Sequence, residues 1–338
     1  MKGGVLERLI DGGDLSRDEA RGFMNRVMAG EVPAARLAGI LTALRIKGET
    51  VDEIAGFASA MRENAVKVDV ARDDLIDTCG TGGDGTGTIN ISTATALLAA
   101  AMGIPVAKHG NRAVSSRSGS ADVLEALGVR IDLSPQEAAA AIEEAGIGFL
   151  FAPNLHPAMR HAMPARRELG VRTMFNVLGP LTNPAGARRQ LLGVYDPDLC
   201  EPMCRVLAEL GSIKAFVVHG AGGLDEVSPC GDTRVAALRG GRVTVGTFSP
   251  LEAGIEVCAL ADLAGGTPEE NAAAIRGIFA GEAGPRTDAV LLNAGFAAVV
   301  ADRADNVAGG VELARAAIAD GSATRLLEKL ATVRGVES

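Results

Sequence analysis

Asp77-Thr78-Cys79-Gly80-Thr81-Gly82-Gly83-Asp84-Gly85-Thr86-Gly87-Thr88, followed by Ile89-Asn90-Ile91-Ser92-Thr93, is the stretch on which the fold turns. A short run from Leu75 to Thr78 predicts a strand, and it empties into a loop with glycine at 80, 82, 83, 85 and 87. Asn90, Ile91, Ser92 and Thr93 then open a helix expected over about Thr93 to Met102. Glycine lets the backbone take positive φ and approach an anion closely, while free N–H groups and the dipole at a helix start favour negative charge. The hydroxyls of Ser92 and Thr93 add donors, and Ser92 can also turn its oxygen to a metal ion. Phosphate is therefore expected here. The spacing is neither a Walker loop nor a GxGxxG fingerprint. A merely flexible glycine-rich turn is the competing explanation, and the order strand, loop, capped helix argues against it.

Outward from this loop, strands are expected at Ile104 to Lys108, Gly148 to Ala152, Leu191 to Tyr195 and Ala215 to His219. Helices are expected at Ala121 to Leu127, Pro135 to Ala145, Pro157 to Leu169 and Pro197 to Leu210. Such alternation implies a largely parallel sheet covered by helices. Thr233 to Phe248, centred on Gly240 and Gly241, predicts an antiparallel hairpin, and amphipathic stretches from Pro268, Asp288 and Val307 predict closing helices. The first 65 residues differ: Ser16 with Glu19 and Thr50 with Glu53 form capping boxes, and Pro33 suits a first helical turn. The expected fold class is α/β: a small all-helical N-terminal domain, residues 1–66, joined by helices from about 156–172, and a larger α/β domain, residues 67–338, with a mostly parallel central sheet.

Composition narrows the function. At 338 residues and 47% hydrophobic, the chain can bury a sizeable core and is long enough for two domains. A formal charge of −9, one Tyr and no Trp disfavour nucleic acid as a partner. An anionic substrate must then be held by backbone N–H groups, a few cations or a metal ion. The cysteines Cys79, Cys200, Cys204, Cys230 and Cys258 include no CxxC pair and no zinc-finger spacing. Met1 to Asp14 carries Glu7, Arg8 and Asp11 and lacks a secretory signal's apolar core, and the apolar run Ala94 to Ala107 is too short to span a bilayer. A reduced, cytoplasmic protein without membrane contact is expected.

Three further segments carry chemistry. Lys108 to Ser120 holds three cations and four serines in a loop at the carboxyl end of a strand, beside the glycine loop. Lys108 supplies a compact charge for phosphate, and the serines can close over it. Gly220 to Glu226 ends in two adjacent carboxylates, Asp225 and Glu226. Next to a polyphosphate they gain a reason, because magnesium is commonly held by one or two carboxylates plus phosphate oxygens. Asn154 to Asn183 holds His156, Arg160, His161, Arg166 and Arg167. Neighbouring arginines on a helix point about 100° apart, so only one can face a pocket and fork onto a carboxylate.

DTCGTGGDGTGTINIST from Asp77, KHGNRAVSSRSGSADVLEALG from Lys108, RRELGVRTMFNVLGPLTNP from Arg166 and GLDEVS from Gly223 occur in the order that resembles the anthranilate phosphoribosyltransferases of tryptophan biosynthesis. LRIKGET from Leu44 and LLNAG around Asn293 also fit; Arg117, among the serines, falls where variation is expected. The resemblance implies a hinge between the two domains, a homodimer formed through the helical part, and a fold shared with pyrimidine nucleoside phosphorylases. It implies that Gly80, Gly83, Asp84, Thr88, Asn90, Ile91, Ser92 and Thr93 hold 5-phosphoribosyl 1-diphosphate together with Lys108, Asn111, Arg112, Ala113, Ser115, Ser116 and Ser120. Ser92, Asp225 and Glu226 would bind two magnesium ions; Gly80, Asn111 and Arg166 would contact anthranilate, whose approach His109 and His156 would line. The implied reaction is attack of the anthranilate amine on the anomeric carbon, with inversion, as diphosphate departs to leave N-(5-phosphoribosyl)anthranilate. An aromatic amine is already neutral near pH 7, so no general base is assigned. Two alternatives stand beside this: a pyrimidine nucleoside phosphorylase-like enzyme, against which the paired Asp225 and Glu226 argue, and a nucleic-acid-binding relative of the fold, against which the acidic balance argues.

Overall fold

Capping chemistry sets the first helices, α1 (Val5–Ile10), α2 (Arg17–Met28), α3 (Ala34–Lys47) and α4 (Val51–Glu63). Ser16 accepts from the N–H of Glu19 while the Glu19 carboxylate takes the Ser16 N–H at 2.9 Å, and Thr50 and Glu53 repeat the exchange. Each such cap contributes about 1 kcal/mol. Pro33 stands one residue before α3, as its N-cap, instead of inside the first turn. Glu53 has a second task. Fully buried, its carboxylate also accepts from the N–H of Leu15 at 2.9 Å and from Lys47 Nζ at 3.0 Å, tying the end of α3 and the start of α4 to the turn before α2.

The computed structural model describes residues 4–113 and 117–332. Seven strands form one sheet: β1 (Ile76–Gly80), β2 (Val106–Gly110), β3 (Ile147–Phe151), β4 (Arg189–Gly193), β5 (Lys214–Gly220), β6 (Thr233–Arg239) and β7 (Arg242–Phe248). Their order is β3-β2-β1-β4-β5-β6-β7. The first five are parallel, and β6 and β7 close one edge as the expected antiparallel hairpin turning at Gly240 and Gly241. Because the chain moves from β1 to β2 on one side and returns to β4 on the other, the strand order reverses between β1 and β4. In open α/β sheets, that reversal opens a crevice at the carboxyl ends of the two strands.

Successive strand residues face opposite ways, and both faces are covered. Leu191, Phe216 and Val218 point into a core shared with α5 (Ile91–Ala101) and the helix Pro285–Val300. Leu192, Ala215, Val217 and Leu238 point the other way, into an apolar cluster that also contains Leu37, Ile40, Phe57, Ala165 and Phe175. The N-terminal helices therefore share one core with a face of the sheet.

Three expectations need correction. Pro157 to Leu169 is not one helix: a 3-10 turn, Pro157–His161, gives way to a helix at Met163–Leu169. Pro164 has no N–H with which to continue the ladder, but it fits the first turn of the new helix. Pro197–Leu199 is likewise 3-10, and the α-helix runs only from Cys200 to Glu209. The stretch from Asp288 begins earlier, at Pro285, and a further helix, Ser322–Thr332, is split from Val307–Ala319 at Gly321 with φ 77°. Among the described residues no helix is long and apolar enough to cross a membrane.

Candidate active site

Gly80 and Gly193 end β1 and β4 and pair with each other at the reversal point. Across them lies the loop after β5, pinned from behind by Asn293, which takes the Val227 N–H at 3.0 Å and donates to the Val227 carbonyl at 2.9 Å. The approach leaves no room for a side chain. A Cβ on Gly80 would stand 2.3 Å from Asp225 Oδ2, and one on Gly193 only 1.5 Å from the Asp225 carbonyl oxygen. From this seat Asp225 accepts the N–H of Gly82 at 2.7 Å, while Glu226 accepts the N–H of Ser92 at 2.9 Å. The two adjacent carboxylates thus grip different ends of the glycine segment.

Within that segment Gly82, Gly83, Gly85 and Gly87 all have positive φ, between 66° and 75°. Such turns aim successive N–H groups into a concavity that suits an anion. The N–H groups of Gly83, Asp84 and Gly85 have no hydrogen-bond partner among the described residues. The amides at the start of α5 differ from the expectation of free donors: Ile91 N–H goes to Ile89 O, Ser92 N–H to Glu226 and Thr93 N–H to Asn90 O. Free N–H donors are therefore offered by the loop more than by the helix end. Ile91 is core, and the buried Thr93 hydroxyl has no partner among the described residues. Thr88 bridges to Ala264, with Gly265 N–H on Gly87 O at 2.8 Å closing the loop's outer side.

Burial, and next the charge of Asp84, push the Asp225 carboxyl up to about 7. Burial and then Asp225 push Glu226 well above the ordinary carboxylate range, against the pull of Lys108. Such a cluster is short of positive charge. Among the described residues no three His, Cys, Asp or Glu side chains converge closely enough to hold an ion alone. That donor set fits magnesium shared between a carboxylate or two and phosphate oxygens. The Ser92 backbone meets Glu226, and its hydroxyl has no hydrogen-bond partner among the described residues.

Lys108 lies in the floor of the site. Its ammonium, 2% exposed, donates to the Thr78 carbonyl at 2.7 Å; burial lowers its pKa and neighbouring Asp77 opposes that. Asp77, pushed up to about 6 by burial, accepts from Asn183 at 2.9 Å. Asn90 fastens the two loops: its amide donates to Ser118 O at 3.1 Å and accepts from Asn271 at 2.8 Å. Across from it, Ser120 Oγ donates to the Asn111 carbonyl at 3.1 Å, and Asp122 takes the N–H groups of Ala113 and Gly119, both at 2.9 Å. Arg112 is spoken for by Asp122 at 3.0 Å and by Glu125, so its guanidinium faces acids of the helix Ser120–Ala126 and not the glycine loop. Ser115 and Ser116 fall outside the described residues.

On the opposite side, the rings of His109 and His156 stand 5.1 Å apart. Burial, and secondarily His156, hold His109 down to about 3; burial and then Lys67 hold His156 near 4. Both are neutral at ordinary pH. Arg166 is half-buried with its guanidinium 5.2 Å from the Phe175 ring centre, whereas Arg167 is exposed. No carboxylate pairs with Arg166 among the described residues.

Three contributors escaped the sequence. Arg172 donates to the Gly83 carbonyl and lies 4.4 Å over the Tyr195 ring, while its own carbonyl accepts from Arg45 of α3. Asn183 and Asn271 buttress Asp77 and Asn90. Only Asn183, in an Asn-Pro turn dipeptide, carried a local signal.

Comparison with known proteins bears on this geometry. Residues 72–324 match the glycosyl transferase family, a/b domain, and residues 4–65 the glycosyl transferase family, helical bundle domain. The chain is 50% identical over 331 residues to an anthranilate phosphoribosyltransferase of Pelotomaculum thermopropionicum, covering 98% of this chain and 96% of that one. It superimposes on the crystal structure of anthranilate phosphoribosyltransferase from Thermus thermophilus with a TM-score of 0.92 at 49% identity, covering 97% and 98% of the two chains. The enzyme from Saccharomyces cerevisiae, solved in complex with PRPP and Mg, gives a TM-score of 0.88 at 29% identity, covering 96% and 95%.

Proposed function

Because this chain belongs to the anthranilate phosphoribosyltransferases, a glycosyltransferase family, we propose how its residues divide the work. The enzyme transfers the phosphoribosyl group of 5-phosphoribosyl 1-diphosphate to the amine of anthranilate. Glycosyl transfer with a diphosphate leaving group asks for two things: a grip on the anionic end, and alignment of the nucleophile with the anomeric carbon. The N–H groups of Gly83, Asp84 and Gly85 serve the first, and Lys108 adds positive field from below. Asn90, held by Asn271, keeps the glycine loop and the segment at Ser118 to Ser120 in register around the donor.

Arg166 holds the acceptor's carboxylate with its planar fork; its lack of a carboxylate partner among the described residues supports that role. His109 and His156, kept neutral, pack beside the acceptor without competing for its carboxylate. No protein base is needed to activate an aromatic amine.

Ser92, Asp225 and Glu226 would hold magnesium, two ions per subunit, and the yeast relative with PRPP and Mg supports magnesium use. When bound, magnesium neutralises charge developing on the departing diphosphate. The observation that carries the assignment is the seating of Asp225 and Glu226 against Gly80, Gly82 and Ser92 at the strand reversal.

A magnesium titration of the rate tests it. Asp225→Asn should raise the half-saturating magnesium concentration by at least about tenfold. In the native enzyme a carboxyl held near 7 must lose its proton to bind metal, so the magnesium requirement should rise as pH falls below 7, by up to about tenfold per unit. A titration unchanged by Asp225→Asn removes that residue from the metal site.

We assign residues 1–66, with 156–172, to a helical domain and 67–338 to the α/β domain; the packing of the helix Met163–Leu169 on α3 supports this grouping. We also infer a homodimer formed through the helical part, as the family likeness implies. Sedimentation equilibrium should return twice the 34.5 kDa chain mass, and a monomer at micromolar concentration would dismiss the dimer. The free thiols support a cytoplasmic enzyme, which cell fractionation would check.

A further inference from the structure

Cys230 and Cys258 face each other with their sulfurs 3.7 Å apart, although 28 positions separate them in sequence. Both are half-buried free thiols, whereas Cys79, Cys200 and Cys204 are buried. Their backbones are adjacent too: the Cys258 N–H donates to the Pro229 carbonyl at 3.2 Å. Neither residue lies in a helix or strand, so modest side-chain rotation can bring the sulfurs to the bonding distance of about 2 Å.

Neither thiol has a part in the phosphoribosyl transfer, yet each sits on a segment that borders the site. Cys230 follows Glu226 in the loop after β5, its N–H held by Ser228 Oγ at 3.0 Å, and that hydroxyl donates to the Ala221 carbonyl at 2.8 Å. Cys258 leads into the turn Leu260–Leu263, where Leu263 O accepts the Ile89 N–H at 3.0 Å, and then to Gly265 on Gly87.

We propose that Cys230 and Cys258 form an oxidation site, at which hydrogen peroxide converts the two thiols into an intramolecular disulfide tying the carboxylate loop to the segment that rims the glycine loop. One thiolate attacks the peroxide O–O bond, giving a sulfenic acid and one water after proton uptake. The second sulfur displaces the hydroxyl as a second water and forms the S–S bond. Two thiols and one peroxide thus yield one disulfide and two waters. Burial, then the Cys230 thiol, with Asp262 and Asp288 nearby, push the Cys258 thiol above the ordinary thiol range, so Cys258 itself is a poor attacking group at neutral pH. The bond also restricts the unfolded chain, raising the melting temperature by on the order of 5 °C.

The test uses the full-length, fully reduced enzyme, freed of reductant, exposed to hydrogen peroxide and mapped by non-reducing peptide mass spectrometry. The expected product is a Cys230–Cys258 peptide pair lighter by two hydrogens and reversed by dithiothreitol. The accompanying rise in melting temperature should be lost in Cys230→Ser and in Cys258→Ser. Should either variant misfold, the native map and its dithiothreitol reversal decide alone. Recovery of the two cysteines as separate thiols or sulfinic acids, pairing with other cysteines or between chains, or a linked pair with unchanged melting overturns the proposal.

Discussion

Gly193→Ala should cost the enzyme at least about 100-fold in kcat/KM, equivalent to about 2.7 kcal/mol of transition-state stabilisation. The added methyl would stand 1.5 Å from the Asp225 carbonyl oxygen and 2.2 Å from its carbon. Both are backbone atoms, which cannot swing aside as the tip of a long side chain would. Asn293 anchors the loop from the far side, so relief must come by lifting Asp225 and Glu226 off the glycine segment. The contacts of 2.7 Å to Gly82 and 2.9 Å to Ser92 are then lost together. Overpacking of this kind also destabilises, by about 1–3 kcal/mol. Gly22→Ala is the control. Gly22 is exposed in the middle of α2 with nothing within 4 Å of an added Cβ, so alanine there should leave catalysis intact and stabilise the helix by about 0.5–1 kcal/mol. Steady-state kinetics with a thermal melt on each variant check both, and a Gly193→Ala enzyme with native rate and melting would contradict the proposed seating.

Arg166→Ala should raise the KM for anthranilate by about 10- to 200-fold, the span of a charge-assisted hydrogen bond worth about 1.5–3 kcal/mol, with the KM for 5-phosphoribosyl 1-diphosphate little changed. The guanidinium rests on Phe175 and has no acid of its own among the described residues, so an incoming carboxylate meets a partner already oriented. Arg166→Lys should recover little, because an ammonium offers neither the planar fork nor the stacking on Phe175. Equal increases in the two Michaelis constants would place Arg166 outside the acceptor site.

Much of this was legible in the sequence because it is local. Strands 76–80, 106–110, 147–151, 189–193 and 214–220 each carry a short apolar signature, and the hairpin announces itself by Gly240 and Gly241. The glycine loop and the Asp225, Glu226 pair were visible as compositions that need a ligand. What stayed hidden depends on partners far along the chain. The amides opening α5 look free until Glu226, 134 residues on, fills one of them. Arg172 is an ordinary charged residue until folding lays it on Gly83, and Arg112 an ordinary phosphate candidate until Asp122 and Glu125 claim it. The break at Pro164 was readable in principle: proline tolerates a helix's first turn and little else, so a continuous helix through it asked too much.

The bridge from Arg45 through Arg172 to Gly83 joins α3 to the rim of the anion cradle by two hydrogen bonds in series. The guanidinium of Arg172 also lies over the Tyr195 ring, so the link has an aromatic base beside its two hydrogen bonds. One arginine thus serves two parts of the chain far apart in sequence, its carbonyl receiving a residue of α3 and its side chain reaching the glycine loop.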